Sequence, residues 1–366
     1  MKERQSNIEL LRLVCMFMVI WIHFTIFGIF EQSSAFYASQ VGFTSLLPKL
    51  ILGLSWCAVD TFIIISGYFS IRPNARSFFN IYLVCAFYAG LLYLIHLYQI
   101  GSHLNRWVIY NTLMPFGLWE TTTGWWFIPN YLMLYIISPI LNRLTDNLSC
   151  TQFRKFLLTM AIPIFYFGWY RNMGWSEQGF NFVNFIFLYS IGRYLRMRRD
   201  AKLTQTHWTI FFALWLVSGA GIGLIDWLTS NYPVASPSFW YTRQYNSPLC
   251  VLSAVSLFMM FNSLNIKNNK IINWLAISAL PIYLMHYNYY INGSLFDFIH
   301  STYISRPMYM AYLVMLSVSL GLVIIIPILD KLRMLITTPI NRALCASYYK
   351  IKLYIVKAYN NYLCRQ

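Results

Sequence analysis

Long apolar segments, separated by short stretches of charged and turn-forming residues, run through most of the chain. A transmembrane helix needs about 20 predominantly apolar residues to cross a hydrocarbon core of about 30 Å. Ten segments satisfy this requirement, although the fifth and sixth are short. They lie at about residues 8 to 30, 50 to 69, 78 to 100, 125 to 142, 153 to 170, 180 to 195, 207 to 228, 247 to 264, 273 to 291 and 308 to 332. None shows the period-two alternation of a lipid-facing β-strand, so the pattern predicts an all-α polytopic membrane protein with about ten transmembrane helices.

The first apolar segment has the properties of a retained helix rather than of a cleaved signal peptide. It is longer than a signal-peptide core, contains Glu9, Arg12 and His23, and lacks a small-residue cleavage site. We therefore expect it to form the first transmembrane helix.

The distribution of basic residues predicts how the helices are oriented. Cytoplasmic loops of membrane proteins are enriched in Lys and Arg. With the N-terminus in the cytoplasm, 21 of the 27 basic residues fall on the cytoplasmic side. The exceptions are Arg12 inside the first helix and five residues in outer loops, namely Lys49, Arg106, Arg171, Arg243 and Arg306. The pattern predicts cytoplasmic N- and C-termini, and the net charge of +16 is interpreted as a topology signal rather than as a nucleic-acid-binding surface.

Composition agrees with a membrane location and excludes several other classes. The 366 residues are 58% hydrophobic and 10% charged, which is more apolar than a single soluble core requires. Seven cysteines are scattered without a C-x-x-C pair, so neither a disulfide framework nor a metal site is predicted. We divide the chain into a membrane domain, residues 1–332, and a basic, aromatic cytoplasmic tail, residues 333–366, that is expected to lie along lipid headgroups.

Three ionisable side chains are predicted to lie near the middle of the bilayer. They are His23 in the first segment, Asp60 in the second and His286 in the ninth. Such residues are costly in lipid unless they are paired or face a cavity, so each is a candidate functional residue. A structural role remains open for all three, because a histidine can be satisfied by a nearby hydroxyl or carbonyl group and an aspartate can join two helices.

Arg12 and His23 are eleven residues apart, which places them on one face of a helix and about 16 Å apart along its axis. Both groups cannot contact the same reacting atom, so Arg12 is expected to hold a different part of a ligand. Glu9 precedes Arg12 by three residues and is predicted to orient its guanidinium. Alternatively, Arg12 extends to the headgroups at the cytoplasmic edge.

Two segments of the sequence are distinctive: RQSNIELLRLVCMFMVIWIHF, with R-x10-H spacing from Arg12 to His23, and AVDTFIIISGYF in the second apolar segment. The first resembles the first helix of acyltransferase family 3, and the second is similar to that family's V-D-x-F-F-x-L-S-G segment. Members of this family are membrane proteins that acetylate bacterial surface polysaccharides from acyl-CoA. Supporting similarities are WWFIPNYLMLYIISPIL, NFIFLYSIGRYLR and IYLMHY. The chain departs from the family at Ile63 and Ile64, where phenylalanine and other apolar residues are frequent.

The resemblance implies a membrane O-acyltransferase of the bacterial inner membrane. It would transfer acetyl from acetyl-CoA, a substrate rather than a bound cofactor, to a hydroxyl of a surface polysaccharide or its lipid-linked precursor. Arg12 and His23 would be the central functional residues. We expect Arg12 to hold a phosphate of coenzyme A, and His23 either to act as general base or to carry the acyl group itself.

Other residues are assigned supporting roles. Asp60 or His286 would orient His23. Trp125 and Trp126 would stack on sugar rings, although an aromatic belt at the membrane surface explains them equally well. Arg196 and the arginines beside it would bind nucleotide phosphates, although membrane orientation alone also accounts for them.

Two other classes of function remain open. A transporter or flippase for a lipid-linked saccharide would also place polar residues at mid-membrane, but we find no inverted repeat and no pair of broken helices in corresponding positions. In a non-catalytic membrane sensor, Arg12 and His23 would serve only in packing.

Overall fold

The computed structural model describes residues 4–30, 42–113, 123–199, 206–232 and 243–363. Most of these residues are helical, and no strand occurs among them. The α-helices are α1 Ser6–His23, α2 Leu46–Trp56, α3 Ala58–Phe69, α4 Ala75–Ile100, α5 Arg106–Leu113, α6 Phe127–Asp146, α7 Cys150–Ala161, α8 Phe182–Met197, α9 Trp208–Asn231, α10 Pro248–Ser263, α11 Lys270–Ala276, α12 Ala279–His286, α13 Asn292–Ser305 and α14 Met308–Leu363. The segments Phe24–Phe30 and Ile162–Tyr170 continue α1 and α7 as π-helices, and Phe43–Ser45 and Gly174–Gly179 are 3₁₀ helices.

The predicted helical membrane body is confirmed at the level of helix content and length. Each of the ten predicted segments is mainly helical in the structure. Within the described ranges, five helical stretches are long and apolar enough to cross a membrane, namely Ser6–Phe30, Phe43–Phe69, Ala75–Ile100, Trp208–Asn231 and Met308–Ala358. The count of ten crossings and the cytoplasmic position of both termini stay predictions.

The ninth predicted segment is not one continuous helix. It divides into α11 and α12, which are separated at Ile277 and Ser278. Ser278 donates a hydrogen bond of 2.6 Å to Asp330 on α14, and Pro281 in the first turn of α12 lacks an N–H group. Hydropathy alone did not indicate this break, because the residues on both sides of it are apolar. As a result, α12 is a short helix that ends at His286.

The last helix continues beyond the predicted boundary at residue 333. Helix α14 runs through that position without a break and contains Pro327 and Pro339. Arg333 is only 4% exposed and pairs with Asp330 three residues earlier, with 2.5 Å between Nε and Oδ1. The tail is therefore an extension of the final apolar helix, and its position on lipid headgroups stays a prediction.

Helix α1 lies at the centre of the packing, in contact with α2, α3, α10, α11, α12 and α14. Small residues let neighbouring helices approach closely. A Cβ atom on Gly67 of α3 would lie 2.1 Å from the carbonyl oxygen of Tyr189 on α8, and one on Gly192 would lie 2.2 Å from that of Ile64. Close backbone contact of this kind is typical of helix pairs in membranes. It fixes α3, which lines the cavity described next, against α8.

Candidate active site

A cavity of about 240 Å³ lies between α1 and the helices around it. From α1 it is lined by Arg12, Met16, Val19, Ile22 and His23, at the spacing of one helix face. The remaining lining residues are Val59, Phe62, Ile65, Ser66, Ile81, Trp126, Phe127, Ile128, Tyr131, Tyr245, Ala279, Leu280 and Tyr283. Arg12 and His23 thus face one mostly apolar space.

His23 is held by a hydrogen-bonded pair of histidines. Its Nδ1 lies 2.8 Å from Nε2 of His286, and Nδ1 of His286 lies 2.7 Å from the carbonyl oxygen of Ile282. A carbonyl oxygen only accepts, so Nδ1 of His286 must donate and, in the neutral ring, Nε2 must accept. His23 therefore donates from Nδ1, which leaves the lone pair of its own Nε2 available for chemistry.

Both histidines lie where a regular helix ends. Helix α1 is α-helical as far as His23, and the chain then continues as the π-helix Phe24–Phe30. Short π-helical segments are often found at functional sites. Helix α12 ends at His286, and the ring of the next residue, Tyr287, stacks on His23 with 4.1 Å between ring centroids. These contacts restrict the imidazole of His23 to one orientation. Sequence reasoning did not select Tyr287, although it follows directly after His286.

The two adjacent tryptophans have different surroundings. Trp125 is completely buried, and its Nε1 donates a hydrogen bond of 2.7 Å to the carbonyl oxygen of Tyr287. The prediction that it stacks on a sugar ring is therefore corrected, because no face of the ring is accessible. Trp126 lines the cavity and stacks against Tyr245, another residue that sequence reasoning missed.

Asp60 is completely buried on α3 but does not line the cavity. It accepts a hydrogen bond of 3.3 Å from the thiol of Cys250 on α10, and no contact joins it to His23 in the described part of the chain. Of the two residues predicted to orient His23, His286 makes the contact. Asp60 instead links α3 to α10.

Arg12 has no carboxylate partner among the described residues. The predicted pair with Glu9 is not formed, because Glu9 pairs with Arg4 at 3.8 Å between Oε1 and Nη1. Arg4 lies just before the first turn of α1, and its side chain extends along the helix to Glu9. Arg12 instead faces the cavity. The Nε of Arg12 is buried and unpartnered. A cation in this position is poised to bind an anion.

Arg196 does not line the cavity. Its guanidinium lies over the ring of Tyr68, 5.2 Å from the ring centroid. The neighbouring Arg193 donates hydrogen bonds to Ser70 and Asp146, which ties α8 to α3 and α6. The predicted contact of Arg196 with nucleotide phosphates stays a prediction.

The model of acyltransferase family 3, described as an acyltransferase domain, matches residues 5–329. The chain belongs to this acyltransferase family. Its match includes every residue that lines the cavity, together with His286. No curated protein and no solved structure matches the chain. The protein is therefore a membrane acyltransferase by its family and its apolar helices.

Proposed function

We propose that this acyltransferase transfers acetyl from acetyl-CoA to a hydroxyl of a bacterial surface polysaccharide or of its lipid-linked precursor, in the inner membrane. The main support is that one cavity contains both Arg12, which has no carboxylate partner among the described residues, and His23, whose Nε2 is available for chemistry. Family membership favours acyl transfer, and the geometry suggests how these residues divide the work.

The donor would lie along the face of α1. Arg12 can bind a phosphate of coenzyme A through two parallel charge-assisted hydrogen bonds. The rise of α1 separates Arg12 from His23 by about 16 Å, which suits a long, thin pantetheine arm. Met16 and Val19 line the intervening wall and offer that arm an apolar surface. With the predicted orientation, the donor enters from the cytoplasm.

His23 would act as general base. Its Nε2 takes the proton of the acceptor hydroxyl while that oxygen attacks the thioester carbonyl carbon. The C–S bond then breaks, and His23 returns the proton to the departing sulfur, which leaves free coenzyme A and an O-acetyl ester. His286 accepts a hydrogen bond from Nδ1 of His23 and so stabilises the imidazolium that forms. An acyl-histidine relay would use the same Nε2 atom.

The acceptor would be bound near Trp126. This residue lines the cavity together with Tyr245 and Tyr283, and an aromatic face is a suitable surface for the apolar side of a sugar ring. Trp126 is thus proposed to perform the stacking role predicted for both tryptophans.

The test uses membrane vesicles containing the protein, acetyl-CoA labelled in the acetyl group, and lipid-linked glycan from the source cell. We expect label on the glycan, and His23→Ala should reduce its rate of appearance about 100-fold or more. The matched control is His103→Ala, which replaces an exposed histidine. Label retained by the His23 variant would contradict the mechanism, and movement of unmodified glycan across the membrane without labelling would favour a transporter.

A further inference from the structure

Two basic residues that do not follow the predicted excess of Lys and Arg on the cytoplasmic side form ion pairs with the same carboxylate. Lys49 and Arg243 belong to the small group predicted on the outer side, and both pair with Asp226 on α9. The distances are 3.5 Å from Nζ of Lys49 to Oδ2 and 3.0 Å from Nε of Arg243 to Oδ1. Positive-inside orientation does not explain basic residues at this end, so another role is needed.

The cluster of Lys49, Arg243 and Asp226 carries one more positive than negative charge. The side chain of Lys49 is fully buried, and its Nζ also contacts Ser230 at 2.5 Å. Arg243 keeps 29% of its side chain exposed and uses Nε for the carboxylate. In the described part of the chain, no second carboxylate pairs with Arg243. The uncompensated charge is therefore accessible at Arg243.

Aromatic rings connect this charge to the catalytic cavity. The guanidinium of Arg243 lies 5.9 Å from the ring centroid of Trp56, which stacks on Tyr245 at 5.4 Å between centroids. Tyr245 in turn stacks on Trp126 at 5.6 Å. Since Tyr245 and Trp126 line the cavity that contains His23, Arg243 marks the end of a continuous row that begins there.

Buried polar atoms without partners flank the same row. On either side of Tyr245, the side-chain oxygen of Gln244 and both amide atoms of Asn246 are buried and have no hydrogen-bond partner among the residues that the structure describes. Buried polar groups are nearly always paired, so an unpaired cluster calls for water or a ligand. Sugar hydroxyls can donate to such oxygens and accept from such an amide.

We propose that Arg243 anchors an anionic group of the acceptor glycan, a carboxylate or a phosphate, while a neighbouring sugar ring lies against Trp126 and Tyr245 in the cavity. This inference rests on the proposed O-acyltransferase function and narrows its acceptor to an acidic glycan. Arg243 acts in binding and does not contact the reacting atoms. Asp226 and Trp56 hold its guanidinium in place.

The experiment measures binding by ligand-observed NMR with the full-length protein in lipid nanodiscs. The probes are a tetrasaccharide of alternating glucuronic acid and N-acetylglucosamine and the neutral tetramer of N-acetylglucosamine. We expect the acidic probe to bind about tenfold more tightly, since a hydrogen bond to a charged group contributes on that order. Arg243→Gln should remove this preference by weakening the acidic probe alone, whereas Arg243→Lys should retain part of it.

Several measurements separate anchoring from folding and from donor chemistry. Arg171→Gln replaces an exposed arginine that is also predicted on the outer side, and it should leave both affinities unchanged. Inhibition by free glucuronate or by inorganic phosphate distinguishes the two kinds of anion. Thermal melting shows whether Arg243→Gln is folded. If it is not, the affinities of Arg243→Lys for the two probes test the proposal instead.

Equal binding of the two probes, no binding of either, or an unchanged preference in Arg243→Gln would overturn the proposal. Acetyl-CoA binding is measured on the same samples and should not depend on Arg243. If the wild-type protein does not bind acetyl-CoA, the proposed function fails while the anion preference can still be observed.

Discussion

Arg333 and Arg12 are partly or fully buried on neighbouring helices, but only Arg333 is bound by a carboxylate in the described part of the chain. Arg333 on α14 is bound by Asp330 through Nε and Nη2 and by Thr337 through Nη1. Arg12 on α1 faces the cavity without a carboxylate partner in the described residues. Removing a charge from water is costly unless it is compensated. The difference indicates that Arg333 serves the fold, whereas the described part of the chain offers Arg12 no carboxylate, as the proposed binding of an anion requires.

The network around Arg333 extends to the break before α12. Asp330 also accepts hydrogen bonds from Tyr88 on α4 and from Ser278 between α11 and α12. Three helical regions thus converge on one carboxylate, and α12 carries His286 from that point. The cavity, in contrast, keeps polar atoms of Arg12 and His23 unused. Substitutions in the two regions test this difference.

Asp330→Ala should lower the free energy of unfolding by about 3–5 kcal/mol, because it leaves Arg333 buried and unpaired. Unfolding in detergent, followed by circular dichroism, measures the change. Asp297→Ala, at an exposed aspartate of α13, is the control and should be nearly neutral. A loss below about 1 kcal/mol for Asp330→Ala would remove the distinction between the two arginines.

His286→Phe should lower kcat about 100-fold while leaving the protein folded, since His23 loses the group that orients its ring and stabilises its charged form. Initial rates of label transfer at saturating acetyl-CoA measure the effect. His103→Phe controls for replacement of a histidine by an aromatic ring at an exposed position. An unchanged kcat would show that the histidine pair has only a structural role.

Arg12→Lys should raise the KM for acetyl-CoA about tenfold, because lysine keeps the charge but loses the two parallel hydrogen bonds of the guanidinium. Titration of labelled acetyl-CoA gives the KM. Arg106→Lys, at an exposed arginine, should leave it unchanged. The companion variant Arg12→Met should bind donor poorly yet melt no lower than wild type, since no carboxylate in the described part of the chain loses its partner. A marked loss of stability in Arg12→Met would show that Arg12, like Arg333, has a structural role.

Glu9→Gln should change the free energy of unfolding by less than about 1 kcal/mol, since about half of the side chain of its partner Arg4 is exposed to solvent and the pair is 3.8 Å apart. Activity should also be retained, because Glu9 does not pair with Arg12. Melting temperature and KM for acetyl-CoA are the two measurements. A tenfold rise in KM would instead restore the predicted orienting role of Glu9.

The cavity shows which inferences from local spacing were reliable. A helix repeats every 3.6 residues wherever it lies, so the shared face of Arg12 and His23 follows from their separation alone. The same calculation allowed Glu9 to reach Arg12, but it could not show that Arg4 would bind Glu9 first. Periodicity states which contacts are available to a side chain, and competition among neighbours decides between them.

Composition, local periodicity and motifs were sufficient to predict the helical membrane class, the ten apolar segments and the family. The three-dimensional arrangement was needed to show that His286 rather than Asp60 contacts His23, that Trp125 is buried while Trp126 faces the cavity, and that Lys49 and Arg243 share Asp226. Such contacts join residues far apart in the chain. They depend on how each helix is rotated, where it is interrupted and which neighbours surround it, and none of these properties is encoded in the spacing of residues along one helix.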